Sequence, residues 1–254
     1  MTLLEDRVAI ISGAAHPKGI GKAAARLFLE HGARVAILDL DEEGIRQSAA
    51  DIGAPPSRLL ALRCDVGDAG QCRGAVRRVA KWSEGRIDVL VNNAAITQKA
   101  GFREITEGDF DRILRVNLSG VFNLSQAAVP YMAGRGAGSI ICISSLSAQN
   151  GGGIFGGAHY CAAKAGVQGM VRAIAKEFGP CGIRANAIAP GLITTDFSRT
   201  GRSDESKDEL AQAWPLRRAG RPQEVASGCL FLASDLASYI TGTTLDINGG
   251  AHMN

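Results

Sequence analysis

Short apolar runs and amphipathic segments alternate along the chain. VAII (8–11), VAIL (35–38), DVLV (88–91) and SIICI (139–143) are almost free of polar positions, as expected for strands of a parallel sheet covered on both faces. The pattern predicts strands over Val8–Ser12, Arg34–Asp39, Leu59–Asp65, Ile87–Val91, Ser139–Ser144, Arg184–Ala189 and Thr243–Ile247. Helical spacing fills the intervals at Gly21–His31, Glu42–Ile52, Ala69–Trp82, Phe110–Met132, His159–Phe178 and Gln223–Ser234. Such alternation, joined by right-handed crossovers, gives a doubly wound, seven-stranded parallel sheet with helices on both faces, a Rossmann-like α/β fold. No repeat, low-complexity tract or Pro/Ser-rich linker interrupts it, so residues 1–254 read as one domain. The rhythm breaks only at Thr194–Pro215, a long polar region that follows a strand end. It reads as a substrate lid, the alternative being a solvated helix pair without a role.

Composition adds exclusions. Hydrophobic residues make up 46% of the chain, aromatic residues 5%, and there are 32 glycines, a mix that suits a close-packed α/β protein. The net charge of +3 is spread rather than massed, which argues against a nucleic-acid partner. No apolar run approaches the roughly 20 residues that span a bilayer, and MTLLEDRVAIISG does not read as a signal peptide. The six cysteines form no Cys-x-x-Cys pair and the histidines do not cluster. Reduced thiols in a cytoplasmic protein without a metal site are therefore expected.

Between the first strand and the first helix lies SGAAHPKGIG (12–21). In that strand–turn–helix context Gly13 allows the tight turn, Gly19 lets backbone approach a pyrophosphate, and Gly21 allows close helix–sheet packing. The phosphate charge would meet the helix N-terminus at Ile20. Asp39, 18 residues past Gly21 at the end of the second strand, stands where an acidic residue grips the adenosine ribose and repels a 2′-phosphate. That favours NAD. Lys18, just before Gly19, argues for NADP, which stays open. The loop is wider than the usual fingerprint by a bulge containing His16 and Pro17, and His16 and Lys18 are expected beside the adenosine-phosphate end of the cofactor. Asp41 reads as the cap of the next helix.

Tyr160 and Lys164 in YCAAK stand one helical turn apart on one face. A tyrosine near its ordinary pKa is a poor proton-transfer group at neutral pH, and a neighbouring ammonium would lower it. With this pair the chain resembles the short-chain dehydrogenase/reductase family. The motifs run in order over essentially the whole chain: SGAAHPKGIG, LDLD, CDV, NNAA, VNLSG, ISS, YCAAK, IAPGLITTD and DINGG. NNAA departs from the family's usual NNAG by placing Ala95 where glycine is common.

The resemblance implies Tyr160 as catalytic acid/base, Lys164 as the group that lowers its pKa and binds the nicotinamide ribose, and Asn117 as the holder of a relay water. It implies a substrate-binding serine, assigned to Ser145. Ser147 restores the family's usual count of residues before the tyrosine and remains the alternative. Asp65 and Val66 would lie beside the adenine, with helix capping the other reading of Asp65. Asn92 and Ala94 would border the adenosine ribose. Pro190, Gly191, Ile193 and Thr195 would meet the nicotinamide amide or a phosphate.

The implied reaction interconverts a secondary alcohol and a ketone with NAD or NADP. Ala95, Ile96, Gln98, Ser147, Gln149, Ile154, Phe155, His159 and the lid after Gly191 are candidates to form the pocket. The polar ones among them suggest a small polyol, sugar or hydroxy compound, although His159 reads equally well as an ordinary helix-start residue. The alternatives are an NADPH-dependent 3-oxoacyl-thioester reductase and a non-catalytic dinucleotide-sensing regulator. The resemblance also implies a homotetramer.

Overall fold

A computed structural model describes residues 2–152, 156–197 and 204–253. In chain order its main elements are β1 (Val8–Ser12), α1 (Ile20–Glu30), β2 (Arg34–Asp39), α2 (Glu42–Ile52), β3 (Leu59–Arg63), α3 (Ala69–Trp82) and β4 (Val89–Asn92). There follow α4 (Glu107–Leu114), α5 (Gly120–Arg135), β5 (Gly138–Ile143), α6 (Ser147–Asn150), α7 (Ala158–Phe178), β6 (Ile183–Pro190), α8 (Asp204–Ala211), α9 (Pro222–Ala233) and β7 (Thr244–Ile247). The strands form one sheet in the order β3-β2-β1-β4-β5-β6-β7, and every neighbouring pair is parallel.

Alternate residues of each strand feed two cores. Ala9, Ile11, Val89 and Val91 pack beneath α1, α2 and α9, whereas Val8, Ile10 and Leu90 pack beneath α3, α5 and α7. Both sheet faces are thus covered, which is why the strands read as continuous apolar runs. Phe28 of α1 is fully buried, a contribution of about 1.5–3 kcal/mol for a side chain of its size. Chain order reverses between β1 and β4, and the loops after the strand C-termini open a crevice there, where ligands of open α/β sheets bind.

One expectation needs correction. The predicted Phe110–Met132 helix begins earlier, with the Thr106 hydroxyl accepting from Asp109 N. It is also split by a π-helical turn at Arg115–Ser119. There the Asn117 side chain donates to the Ile113 carbonyl at 2.9 Å, while Gly120 N–H reaches back five residues to Arg115 O. The Thr194–Pro215 region, expected as a lid with a solvated helix pair as the alternative, contains α8, and its residues 198–203 lie outside the described residues.

Candidate active site

The crevice is a cleft of about 1140 Å³. One wall is the loop between β1 and α1. His16 O accepts from Gly19 N at 2.9 Å, closing a β-turn with Pro17 at its second position, where a fixed φ is favoured. Gly19 caps α1 without a side-chain bond, and the first turn of α1 carries no acid. The helix N-terminus therefore faces the cleft uncompensated, as an anion requires. Gly13 has φ +71°, and a Cβ on it would stand 2.7 Å from Ala94 Cα. A Cβ on Gly21 would run into the Gly13 carbonyl. These close approaches make the loop a fitting cradle for the diphosphate of a dinucleotide.

Asp39 lines the cleft; its carboxylate accepts from Ala15 N at 3.0 Å and from Asp41 N at 3.2 Å. Asp41 caps α2 through Gly44 N. Asp65 is not the cap of α3, a job done by Asp68. Asp65 accepts from Gly67 N and pairs with Arg115 at 3.0 Å, and with Val66 it lines the cleft.

At the other end, α7 carries the reacting pair. Tyr160 is 7% exposed and Lys164 2%. Ser145 acts on the Tyr160 phenol, lowering its pKa, and Ser145 Oγ accepts from Ser147 N at 3.1 Å. Both serines line the cleft, and it is Ser145 whose hydroxyl influences the tyrosine. Lys164 Nζ donates to Ile143 O at 2.7 Å and lies 5.8 Å from the Tyr160 ring centroid. Ser144 Oγ donates to the Lys164 carbonyl at 2.9 Å, tying the end of β5 to α7.

Burial pushes the Tyr160 phenol up to about 12, against the smaller lowering effect of the Ser145 hydrogen bond. Burial likewise brings the Lys164 ammonium down from 10.5 to about 8. The expected lowering of the tyrosine by Lys164 is therefore absent. Desolvation opposes both charged forms and wins.

The third wall follows β6. Pro190, Gly191, Ile193 and Thr195 line the cleft, with Ile193 bridged to Gly220. Buried Lys207, on α8, donates to the Thr195 carbonyl. Asp208 on the same helix accepts from Ala219 N at 2.8 Å. The Phe197 ring lies 6.4 Å from that of Tyr160.

Several expected residues stand elsewhere. Asn92 is buried on the α5 side, donating to Ser125 Oγ at 3.0 Å, and is absent from the cleft lining. Its neighbour Asn93 lines the cleft instead, donating to Gly13 O at 2.8 Å. The two-residue period of β4 carried that signal, since Leu90 and Asn92 share a face. Ala94, Gly13, Gly19 and Ile20 do line the cleft, whereas Lys18 is exposed and does not. Asn117 is fully buried and outside the lining, held by Ile96 and Ile113.

Of the candidate pocket residues, Ala95, Ile96 and Ser147 line the cleft. Gln98 instead lies against His159 and Arg112, and Gln149 donates to Asp246 at 2.8 Å. Ile154 and Phe155 lie outside the described residues. Asp196, Phe197, Lys207 and Trp214 line the cleft as well; all four fall within the Thr194–Pro215 segment expected to act as a lid, although the sequence did not single them out individually. Among the described residues no helix is long and apolar enough to cross a membrane, and no cluster of metal-ligating side chains occurs.

A family model described as enoyl-(acyl carrier protein) reductase matches residues 13–252. A short-chain type dehydrogenase/reductase of Sinorhizobium fredii, y4mP, is 49% identical over 98% of both chains. The 3-oxoacyl-[acyl-carrier-protein] reductase FabG of Thermotoga maritima is 41% identical, covering 97% of this chain and 98% of its own. A crystal structure from Brucella melitensis, described as a short-chain dehydrogenase/reductase of the glucose/ribitol dehydrogenase type, superposes with a TM-score of 0.91. It is 35% identical and matches over the whole of both chains.

Proposed function

We propose, from the premise that this chain belongs to the short-chain dehydrogenase/reductase family and is an oxidoreductase of CH–OH donors, that it interconverts a secondary alcohol and a ketone with NAD preferred over NADP. The observation that carries the reading is the meeting of Ser145, buried Tyr160 and Lys164, one turn farther along α7, at one end of the cleft. Gly13, Gly19 and Ile20 would hold the diphosphate, with Gly21, buried outside the lining, letting α1 approach the Gly13 carbonyl. Asp39 would hold the adenosine ribose, Asp65 and Val66 the adenine side, and Ile193 and Thr195 the nicotinamide end. When bound, the nicotinamide would accept or return the hydride.

The chain's own groups handle the oxygen. Ser145 donates to the substrate oxygen and holds it against the Tyr160 hydroxyl. In ketone reduction the neutral phenol, favoured by burial, gives its proton to that oxygen as negative charge develops. In alcohol oxidation the phenolate takes the proton back. Lys164, fixed by the Ile143 carbonyl, supplies positive charge on the same helix face. Asn117, buried against Ile96, keeps the backbone behind this pair in register.

Ile96 packs with Tyr160, and Leu146 and Phe197 line the same end of the cleft. Those neighbours favour a substrate with an apolar flank beside its hydroxyl-bearing carbon, rather than a fully hydroxylated sugar. A 3-oxoacyl thioester with NADPH is the second reading, favoured by this apolar lining and by the likeness to FabG. Exposed Phe110 and Phe122, together with Leu236 and Tyr239, would be covered in a homotetramer.

The test is a panel of secondary alcohols, polyols, sugars and 3-oxoacyl thioesters, followed by absorbance of the reduced cofactor with each nicotinamide form. Tyr160→Phe should lose activity on any substrate found while retaining its fold. Retained turnover in that variant overturns the assignment.

A further inference from the structure

The bulge that widens the glycine loop carries His16, and this side chain crosses to the far wall of the cleft. His16 Nε2 lies 3.6 Å from Asp196 Oδ2, in the segment after β6, and both residues line the cleft. The ring is oriented from behind. Lys18 backbone N–H donates to His16 Nδ1 at 3.3 Å, so Nδ1 accepts and the neutral ring carries its hydrogen on Nε2, facing the carboxylate. The β-turn through Pro17 fixes the backbone beneath it.

Asp196 sits between two anchored residues. The Thr195 carbonyl accepts from the buried Lys207 ammonium of α8, and the Phe197 ring stands near Tyr160. Three consecutive residues thus touch the lid helix, the phosphate loop and the reacting tyrosine.

We infer that His16 and Asp196 form a clasp across the mouth of the cofactor cleft, which must open for a dinucleotide to enter or leave. The inference rests on the proposed dinucleotide site, over whose diphosphate cradle the clasp passes. His16 and Asp196 are positioning residues that govern the lifetime of the bound cofactor and take no part in proton transfer. Both side chains are about half exposed, at 50% and 56%, so one such pair is worth a small factor, about two- to five-fold in a rate.

The experiment uses the full chain with NADH alone. Bound NADH is displaced by excess NAD in a stopped-flow instrument, and its fluorescence gives the dissociation rate. His16→Ala and Asp196→Ala should each raise that rate about two- to five-fold. The double variant should dissociate no faster than either single one, because both break the same contact. His16→Gln, which can again offer an N–H to Asp196, should restore most of the wild-type rate. Unchanged rates in both single variants, or additive effects in the double one, overturn the clasp. An absence of NADH binding in the wild-type protein would instead overturn the dinucleotide site on which it rests. Far-UV circular dichroism should be unchanged in all variants, since both side chains lie at the surface of the cleft.

Discussion

Replacing Lys164 by methionine should remove a pH dependence from the stability of the ligand-free protein. Lys164 is 2% exposed, and burial lowers its pKa from 10.5 to about 8. The folded pKa is thus below the unfolded one, and between pH 8 and 10.5 the unfolded chain binds the proton more strongly. Unfolding free energy from this group is then lowest below pH 8, rises through that window, and is fully recovered above 10.5. A drop of this size corresponds to about 3 kcal/mol in all, of which about 2.5 kcal/mol falls between pH 7 and pH 10.

Other groups also titrate in this range. Burial raises the Cys142 and Cys229 thiols to about 12 and Tyr160 to about 12, and these contributions fall as pH rises past their unfolded values. The difference between wild type and Lys164→Met cancels Cys229 and Tyr160, and Cys142, whose thiol the Lys164 charge lowers, is removed by making the comparison in a Cys142→Ala background. Losing the ammonium's bond to Ile143 O adds an offset that does not change with pH. Urea unfolding at pH 7, 8, 9 and 10, with linear extrapolation at each, supplies the difference. A wild-type-minus-variant curve that is flat over this range would refute the argument that Lys164 is destabilised as a cation by burial.

The remaining predictions concern chemistry and the cradle. With Tyr160 raised to about 12, kcat/KM for alcohol oxidation should climb steadily from pH 7 to pH 10, because the phenolate is the scarce form. Ketone reduction should not rise over the same range, and a flat oxidation profile would count against the phenol as base. Gly13→Ala combines a left-handed φ of +71° with a Cβ 2.7 Å from Ala94 Cα, and should cost about 2–4 kcal/mol by urea unfolding. Asp39→Ala should shift the NAD:NADP ratio of kcat/KM toward NADP by at least about tenfold, since a carboxylate at close range to a 2′-phosphate repels it.

Much of the fold was legible because burial leaves a plain trace. β1, β2, α2 and α3 all keep their predicted bounds. The π-turn at Asn117 left no such trace, because one inserted backbone residue keeps both flanking halves amphipathic. At the site, Tyr160, Lys164 and Ser145 could be found from spacing and motif, and they meet in space. Asn92 was misplaced to the cleft because a pair of asparagines at a strand end hides which one faces the helices. Gln98, Gln149 and His159 suggested a polar pocket, yet folding gives each a protein neighbour. The lid holding Asp196, Phe197 and Lys207 was legible as a polar break in the rhythm, but their partners depend on contacts that no local pattern encodes.

The π-turn also makes the α4–α5 segment act as a screw of fixed phase. Each residue of an α-helix advances about 100° around its axis, so deleting one residue within Arg115–Ser119 would restore regular winding and rotate α4 by about that angle against α5. Ile113, which packs against Tyr160, would swing off the tyrosine. The Arg115–Asp65 pair at the opposite end of the cleft would part. A single-codon deletion here would therefore act on both ends of the cleft at once, while a conservative substitution at the same positions would leave the phase intact.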